Sequence, residues 1–80
     1  MTVHLSTKGT IELDGVCPIE DAEALHRYLI ANPQSLVDWT ACTAAHTSVI
    51  QILLAARPAL RGPPGSDFLR HFIEPLLQPP

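Results

Sequence analysis

The stretch from Thr10 to Thr40, TIELDGVCPIEDAEALHRYLIANPQSLVDWT, decides the fold. Its opening, Thr10-Ile11-Glu12-Leu13-Asp14, alternates polar and apolar side chains. That is the period-2 pattern of a strand with one buried face, and Gly15 is expected to close it. Cys17-Pro18 then breaks the extended run, and Ile19-Glu20-Asp21 supplies acids where a helix dipole favours negative charge. From there Ala22, Leu25, Leu29 and Ile30 recur on one side at helical spacing, with Glu20, Glu23, Arg27 and Asn32 towards the other. The pattern predicts an amphipathic helix ending near Ala31-Asn32-Pro33, because a residue before proline is driven out of the helical region. Ser35-Leu36-Val37-Asp38-Trp39-Thr40 carries β-forming residues and reads as the next strand. Strand, helix and strand in that order are the parts of a βαβ unit, whose two strands should be parallel with a right-handed crossover.

Outward from this unit, Val3-His4-Leu5-Ser6 also alternates and is joined through Thr7-Lys8-Gly9, which predicts a β-hairpin at the amino end. On the other side, Thr43 to Ser48 reads as a small-residue turn. Val49 to Ala56 is apolar almost all round. The Ala pair at its end and the polar residues at its start favour a helix there, with Thr47 or Ser48 as the N-cap and Pro58 as the stop. Arg61-Gly62-Pro63-Pro64-Gly65-Ser66 is expected to be a loop. Ser66 or Asp67 then caps a last helix in which Phe68, Leu69, Phe72, Ile73 and Leu76 share a face. Arg70 and Glu74 are spaced to pair at i,i+4, and Pro75 should kink or fray the helix. Gln78-Pro79-Pro80 reads as a tail. Residues 1–80 are thus expected to form one α/β domain: a small sheet of about three to four strands, β-hairpin then βαβ, packed with three helices.

The bulk numbers narrow the function. Eighty residues with 46% hydrophobic and 16% charged side chains are too apolar for a disordered segment and too few for a deep cleft with several converging polar groups. Lys8, Arg27, Arg57, Arg61 and Arg70 are scattered against eight acids, so no cationic stripe forms and nucleic-acid binding is argued against. The longest unbroken apolar run is Ile52 to Ala56, far short of the roughly 20 residues of a membrane span. Met1-Thr2-Val3-His4 offers neither a basic start nor an apolar signal stretch. A cytoplasmic protein is therefore expected, with Cys17 and Cys42 reduced and partly buried.

Chemistry finds few footholds. The histidines at 4, 26, 46 and 71 show no ligand spacing, so no metal and no cofactor is expected. Thr47 or Ser48 beside His46 offers a nucleophile and a base. Residues so close in the chain rarely aim at each other, and the Gly-x-Ser-x-Gly context is missing. Glu20, Asp21 and Glu23 read as a solvated helix start, and Gly62-Pro63-Pro64-Gly65 has prolines where a phosphate cradle needs N–H donors. No catalytic residue is assigned, and a non-enzymatic role is expected. What remains is the hydroxyl pair at the head of an apolar helix. There free N–H groups and the dipole would receive a phosphate, adding roughly −1.5 to −2 charges to a near-neutral turn.

The order Ile11-Glu12-Leu13-Asp14-Gly15, an acid- and Ala-rich helix, Val37-Asp38-Trp39-Thr40, then His46-Thr47-Ser48-Val49-Ile50-Gln51-Ile52-Leu53-Leu54 resembles a STAS domain. That family includes the anti-sigma factor antagonists and the cytoplasmic domains of sulphate transporters. Its signature is a strand ending in Asp-hydrophobic-Ser/Thr, followed after a few residues by Asp-Ser-Ser/Thr-Gly and a Leu-rich helix. Asp38-Trp39-Thr40 matches the first part. His46 falls where the second Asp is usual, Thr47 at the phospho-acceptor position, Ser48 at the next hydroxyl, and Val49 where Gly is usual. The resemblance covers about residues 3–57. It implies a regulatory protein–protein interaction module with Thr47 and Ser48 as phospho-acceptor candidates. The docking surface it implies comprises Asp38, Thr40, Thr43, His46, Thr47 and Ser48. The implied partner is an ATP-binding serine kinase that is also the anti-sigma factor, or a component of a signalling or chemotaxis complex. After the second helix the family adds a further strand and helix, whereas here a Pro-Gly loop is read as leading straight to the last helix. The missing strand would leave an edge for that helix or a second copy to cover, so a homodimer is expected. The rival readings are a structural or adaptor subunit anchored through the last helix, and a small-ligand or lipid carrier using the gap between sheet and helices.

Overall fold

The alternating apolar positions of the strands all turn to one side, and that side carries the core. The computed structural model describes residues 2–77. The elements run β1 (Val3–Leu5), β2 (Ile11–Cys17), α1 (Glu20–Ala31), β3 (Val37–Ala45), α2 (Thr47–Ala56) and β4 (Leu60–Arg61). A π-helical turn, Leu69–Ile73, then continues into α3 (Glu74–Leu77). The four strands form one mixed sheet in the order β1-β2-β3-β4. β1 is antiparallel to β2, while β2, β3 and β4 are mutually parallel neighbours. The hairpin and the parallel βαβ unit are as the alternation and the intervening helix predict.

Val3, Ile11, Leu13, Cys17, Val37, Trp39 and Cys42 are buried from the sheet side of the core. Leu25 and Leu29 of α1, Val49 and Leu53 of α2, Leu69 and Leu77 close over them in one cluster. The alternate positions, His4, Glu12, Asp14, Asp38 and Thr40, are half-buried or exposed. The sheet is therefore covered by helices on one face and polar on the other, the ordinary consequence of period-2 patterning.

Several boundaries move. Gly15 does not close β2; the strand runs to Cys17. Gly15 adopts φ +69, in the left-handed region that a glycine enters without a Cβ penalty, and the pairing register slips between Gly15 and Val16. A glycine inside a strand marks an irregularity of the ladder as readily as its end. β3 likewise begins at Val37 and runs to Ala45, so Thr43-Ala44-Ala45 is strand and not turn. Its small residues are held by the ladder to β2, where Val16 faces Ala44 and Cys17 faces Ala45.

β4 was not anticipated. Leu60-Arg61 pairs with Val37-Asp38, so Arg61 belongs to a strand and the loop starts at Gly62. Two residues are too few for any periodicity to register. The sheet therefore has a strand after α2, and both its edges, β1 and β4, are short, which limits strand-to-strand pairing with other chains. Arg57 turns the chain out of α2 in a left-handed conformation, its N–H donating to Leu53 O at 2.9 Å, just before Pro58.

The helices also differ in detail. Asp21, expected in a solvated helix start, is buried, and its Oδ2 has no hydrogen-bond partner; Ile30, expected inside, is exposed. α1 packs against β1, β2 and α2, which centres its buried stripe on Ala22, Leu25 and Leu29. At the carboxyl end Ser66 Oγ accepts from Leu69 N at 3.2 Å, a cap as expected. Of the five residues expected to share a buried face, only Leu69 is buried and Ile73 half-buried. Leu77 joins them, while Phe68, Phe72 and Leu76 are exposed. The widened π turn shifts the i, i+4 rows, and it ends where Glu74 N donates to Leu69 O, one residue before the missing donor of Pro75. Arg70 pairs with Asp67 at 2.6 Å in place of Glu74. The tail Gln78-Pro79-Pro80 lies outside the described residues.

Candidate functional site

α2 starts one residue after β3, and the join is made by His46. Its backbone is still extended (φ −61, ψ 149), its N–H donates to Cys17 O at 2.9 Å, and its carbonyl accepts from Val49 N at 2.9 Å. The imidazole Nδ1 accepts from Ser48 N at 3.1 Å and lies 2.8 Å from Ser48 Oγ. His46 is therefore the N-cap, in place of Thr47 or Ser48. The strand reaches Ala45, so the cap position falls on the next residue, and an imidazole nitrogen can fill the role of a capping oxygen. For Nδ1 to accept, the ring proton must sit on Nε2, a tautomer assigned from these bonds. Ser48 does aim its hydroxyl at His46, contrary to the expectation for residues so close in the chain, because the first turn of the helix brings i and i+2 round the same cap.

Thr47 is released from capping by this arrangement. It is the first residue of α2, it is exposed, and its hydroxyl has no hydrogen-bond partner among the described residues. The first turn of α2 holds no acid, whereas that of α1 holds Glu20, Asp21 and Glu23. The first turn of α2 itself thus supplies no negative charge to its positive end.

Asp38 and Thr40 sit elsewhere. Asp38 Oδ1 accepts from Thr40 N at 3.0 Å and Thr40 Oγ1 at 2.7 Å, and Oδ2 pairs with Arg61 Nη1 at 3.3 Å. The Thr40 hydroxyl, the Thr40 N–H and then the Arg61 guanidinium hold the Asp38 carboxyl below the usual carboxylate range, against a small opposing effect of burial. Across the strands His4 faces Glu12, Glu12 faces Asp38 and Asp38 faces Arg61. The outer pairs are bonded, His4 Nε2 to Glu12 Oε1 at 3.0 Å and Asp38 to Arg61. A shallow hollow of about 190 Å³ lies over this row. Asp38 and Ala45 are seven residues apart on β3, roughly 23 Å at about 3.3 Å per residue. The structure therefore does not bring Asp38 and Thr40 together with His46, Thr47 and Ser48. Thr43, exposed, lies between the two groups, beside the loop at Gly65, whose N–H donates to Cys42 O at 2.8 Å.

Next to Ser48, α1 and α2 leave an open groove of about 510 Å³, walled by His26, Leu29, Ile30, Gln51, Ile52 and Ala55. The carrier reading placed its cavity between sheet and helices; the groove lies between two helices. The helical pattern of α1 puts Ile30 on the side of Ala22, Leu25 and Leu29, and the all-round apolarity of Val49 to Ala56 marks no outward face, so the groove is not legible in the sequence. Among the described residues no three of His, Cys, Asp and Glu converge as a metal site, and no helix is long and apolar enough to cross a membrane. No family model, no curated protein and no solved structure matches this chain.

Proposed function

We propose that this chain is a non-enzymatic regulatory module that docks a protein partner at the amino terminus of α2, in the manner of a STAS domain of the anti-sigma factor antagonist type. The observation that carries the reading is Thr47: an exposed hydroxyl with no hydrogen-bond partner among the described residues, in a first turn of α2 that holds no acid. A phosphate on that oxygen would meet the helix dipole and change the local charge by roughly −1.5 to −2, enough to alter which surface can approach. The apolar groove that begins at Ser48 offers the adjoining contact area. β4, following α2 and lying parallel to β3, stands where the family has its next strand, and supports the resemblance beyond residue 57. His46, where the family has its second Asp, caps α2 through Nδ1. Val49, where the family has Gly, is fully buried and so does not obstruct approach to Thr47. The partner class is an ATP-binding serine kinase of the anti-sigma type or another component of a signalling complex, which places the module in the cytoplasm.

The test is capture of the partner from the native host, followed by phosphate mapping on this chain. A kinase in the eluate with phosphate on Thr47 is the expected result. Thr47→Glu should weaken the recaptured contact and Thr47→Ala should leave it constitutive. Reproducible capture without any kinase, or binding indifferent to Thr47→Glu, overturns the switch.

One observation favours a second reading, a structural subunit or homo-oligomer. Phe68 and Phe72, with ring centroids 5.3 Å apart, and Leu76 are exposed on the carboxyl-terminal helical segment. Under that reading, light scattering gives a concentration-dependent mass that Phe72→Asp abolishes and Thr47→Glu does not.

A further inference from the structure

Cys17 and Cys42 take no part in the docking surface, and their placement is specific. Both are fully buried on the inner face of neighbouring strands, and both are free thiols. Their sulfurs lie 3.9 Å apart. Cys42 pairs in register with Gly15 and Cys17 with Ala45, so the two are diagonal neighbours across the register slip between Gly15 and Val16. A disulfide needs its sulfurs at about 2.05 Å, so closure must bring them roughly 1.9 Å nearer.

We propose that Cys17 and Cys42 form a redox clasp, two thiols held for closure into an intramolecular disulfide by a hydroperoxide. The inference is independent of the Thr47 reading. Cys17 is the attacking group. The bond from Cys42 lowers its thiol, against the opposing effects of burial and of the nearby Asp21 carboxylate. The same bond and burial push Cys42 up, so one proton leaves readily and the other is retained. Ala44 O, at 3.4 Å, is the alternative acceptor for the single S–H of Cys42.

In the first step the Cys17 thiolate attacks one oxygen of hydrogen peroxide and the O–O bond breaks. Cys17 becomes a sulfenic acid, and the hydroxide that leaves takes up the proton Cys17 had released, giving water. The Cys42 sulfur then attacks Cys17 Sγ; the S–S bond forms, the S–O bond breaks, and hydroxide leaves with the Cys42 proton as a second water. Two thiols have lost two electrons and the peroxide has gained them. Because both sulfurs are sealed, the first step waits on an opening of this end of the sheet. The second step is intramolecular, which favours it over further oxidation and over bonds between chains. The consequence reaches the surface through the backbone, since the Cys17 carbonyl holds the His46 N–H at 2.9 Å.

The test treats the full chain with hydrogen peroxide while circular dichroism reports it folded, then unfolds it, alkylates it and weighs it. The expected product is lighter than the untreated chain by two hydrogen atoms and takes up no alkylating agent. It yields a Cys17–Cys42 linked peptide and returns to two free thiols with dithiothreitol. Its thermal midpoint lies above that of the reduced chain. Cys17→Ser and Cys42→Ser each remove the product, and the wild-type measurement stands even if a variant fails to fold. Two thiols still fully alkylatable after prolonged exposure, sulfinic or sulfonic acids as the main products, or disulfide-linked dimers from folded protein overturn the proposal.

Discussion

Thr47→Glu should stabilise the isolated protein even as it weakens partner docking. Thr47 is the first residue of α2, and no acid lies in that first turn. A carboxylate there sits where the partial positive charge of the helix is concentrated, an interaction of about 0.3–1 kcal/mol at low ionic strength. Thr47 is exposed, so the larger values found for partly buried geometries do not apply. For a domain of this size about 1 kcal/mol moves the thermal midpoint by about 4–8 °C, giving a rise of about 1–8 °C. Thr47→Gln is the control, matching the side-chain length without the charge, and should account for little of that rise. Thermal melts of the three proteins at low salt, repeated near 1 M salt where the screening length falls to about 3 Å, separate charge from propensity. The Glu variant should lead at low salt and fall back to the Gln variant at high salt. A Glu variant that melts below wild type, or a gain the Gln variant shares, would refute the idea that the end of α2 awaits negative charge. The opposite signs matter for the functional test: lost docking in a variant that has become more stable cannot be put down to unfolding.

Three further outcomes follow from the same geometry. Leu53→Ala, at a position 1% exposed inside the cluster shared by sheet and helices, should cost about 2–5 kcal/mol in urea titration; a loss below about 1 kcal/mol would mean that α2 is not seated as described. His46→Ala removes the cap acceptor of Ser48 N and should cost about 0.5–2 kcal/mol, while His46→Asn should recover most of it, since Asn is among the best N-caps. The Asp38 carboxyl is held low in the folded state. Its contribution is therefore fully present above the unfolded value of about 3.9 and is lost as pH falls through the lower folded value. Asp38→Asn should flatten the acid limb of the stability curve below about pH 4 and leave its neutral region nearly unchanged in shape; an unaltered acid limb would sink the assignment.

The parts of the fold that were legible are those in which local pattern and tertiary burial ask for the same thing. Ile11 and Leu13 alternate with Glu12 and Asp14, and the sheet has one covered and one polar face, so the strand and its orientation could be read together. In α1, Ala22, Leu25 and Leu29 mark the buried stripe and Pro33 marks the end. Legibility stops where the deciding contact is distant in sequence. β4 is two residues whose only reason to be extended is the edge of β3, some twenty residues earlier. Ala44 and Ala45 have no strand preference, yet they are strand because Val16 and Cys17 continue beyond Gly15 and need partners. The last helix misled for another reason. A helical wheel assumes a constant turn, and the π turn at Leu69–Ile73 breaks that assumption, exchanging Phe72 and Leu76 for Leu77 on the buried side.

The site divides along the same line. That a hydroxyl would stand exposed at the head of α2 was readable, because an apolar helix following a strand must present its first turn at the sheet's end. Which group would cap it was not, because the cap is set by where the strand stops, and that depends on the ladder to β2. The consequence is more than a relabelling. Had Thr47 been the N-cap, its oxygen would be occupied by a backbone N–H, and a phosphate there would have to break the cap before it could act. With His46 as the cap and Ser48 Oγ beside the same ring nitrogen, the Thr47 hydroxyl is left without a partner among the described residues. A group added to it would leave the helix start intact. Modification at Thr47 can thus change the charge of the surface without changing the fold beneath it, which is the condition a reversible docking switch has to meet.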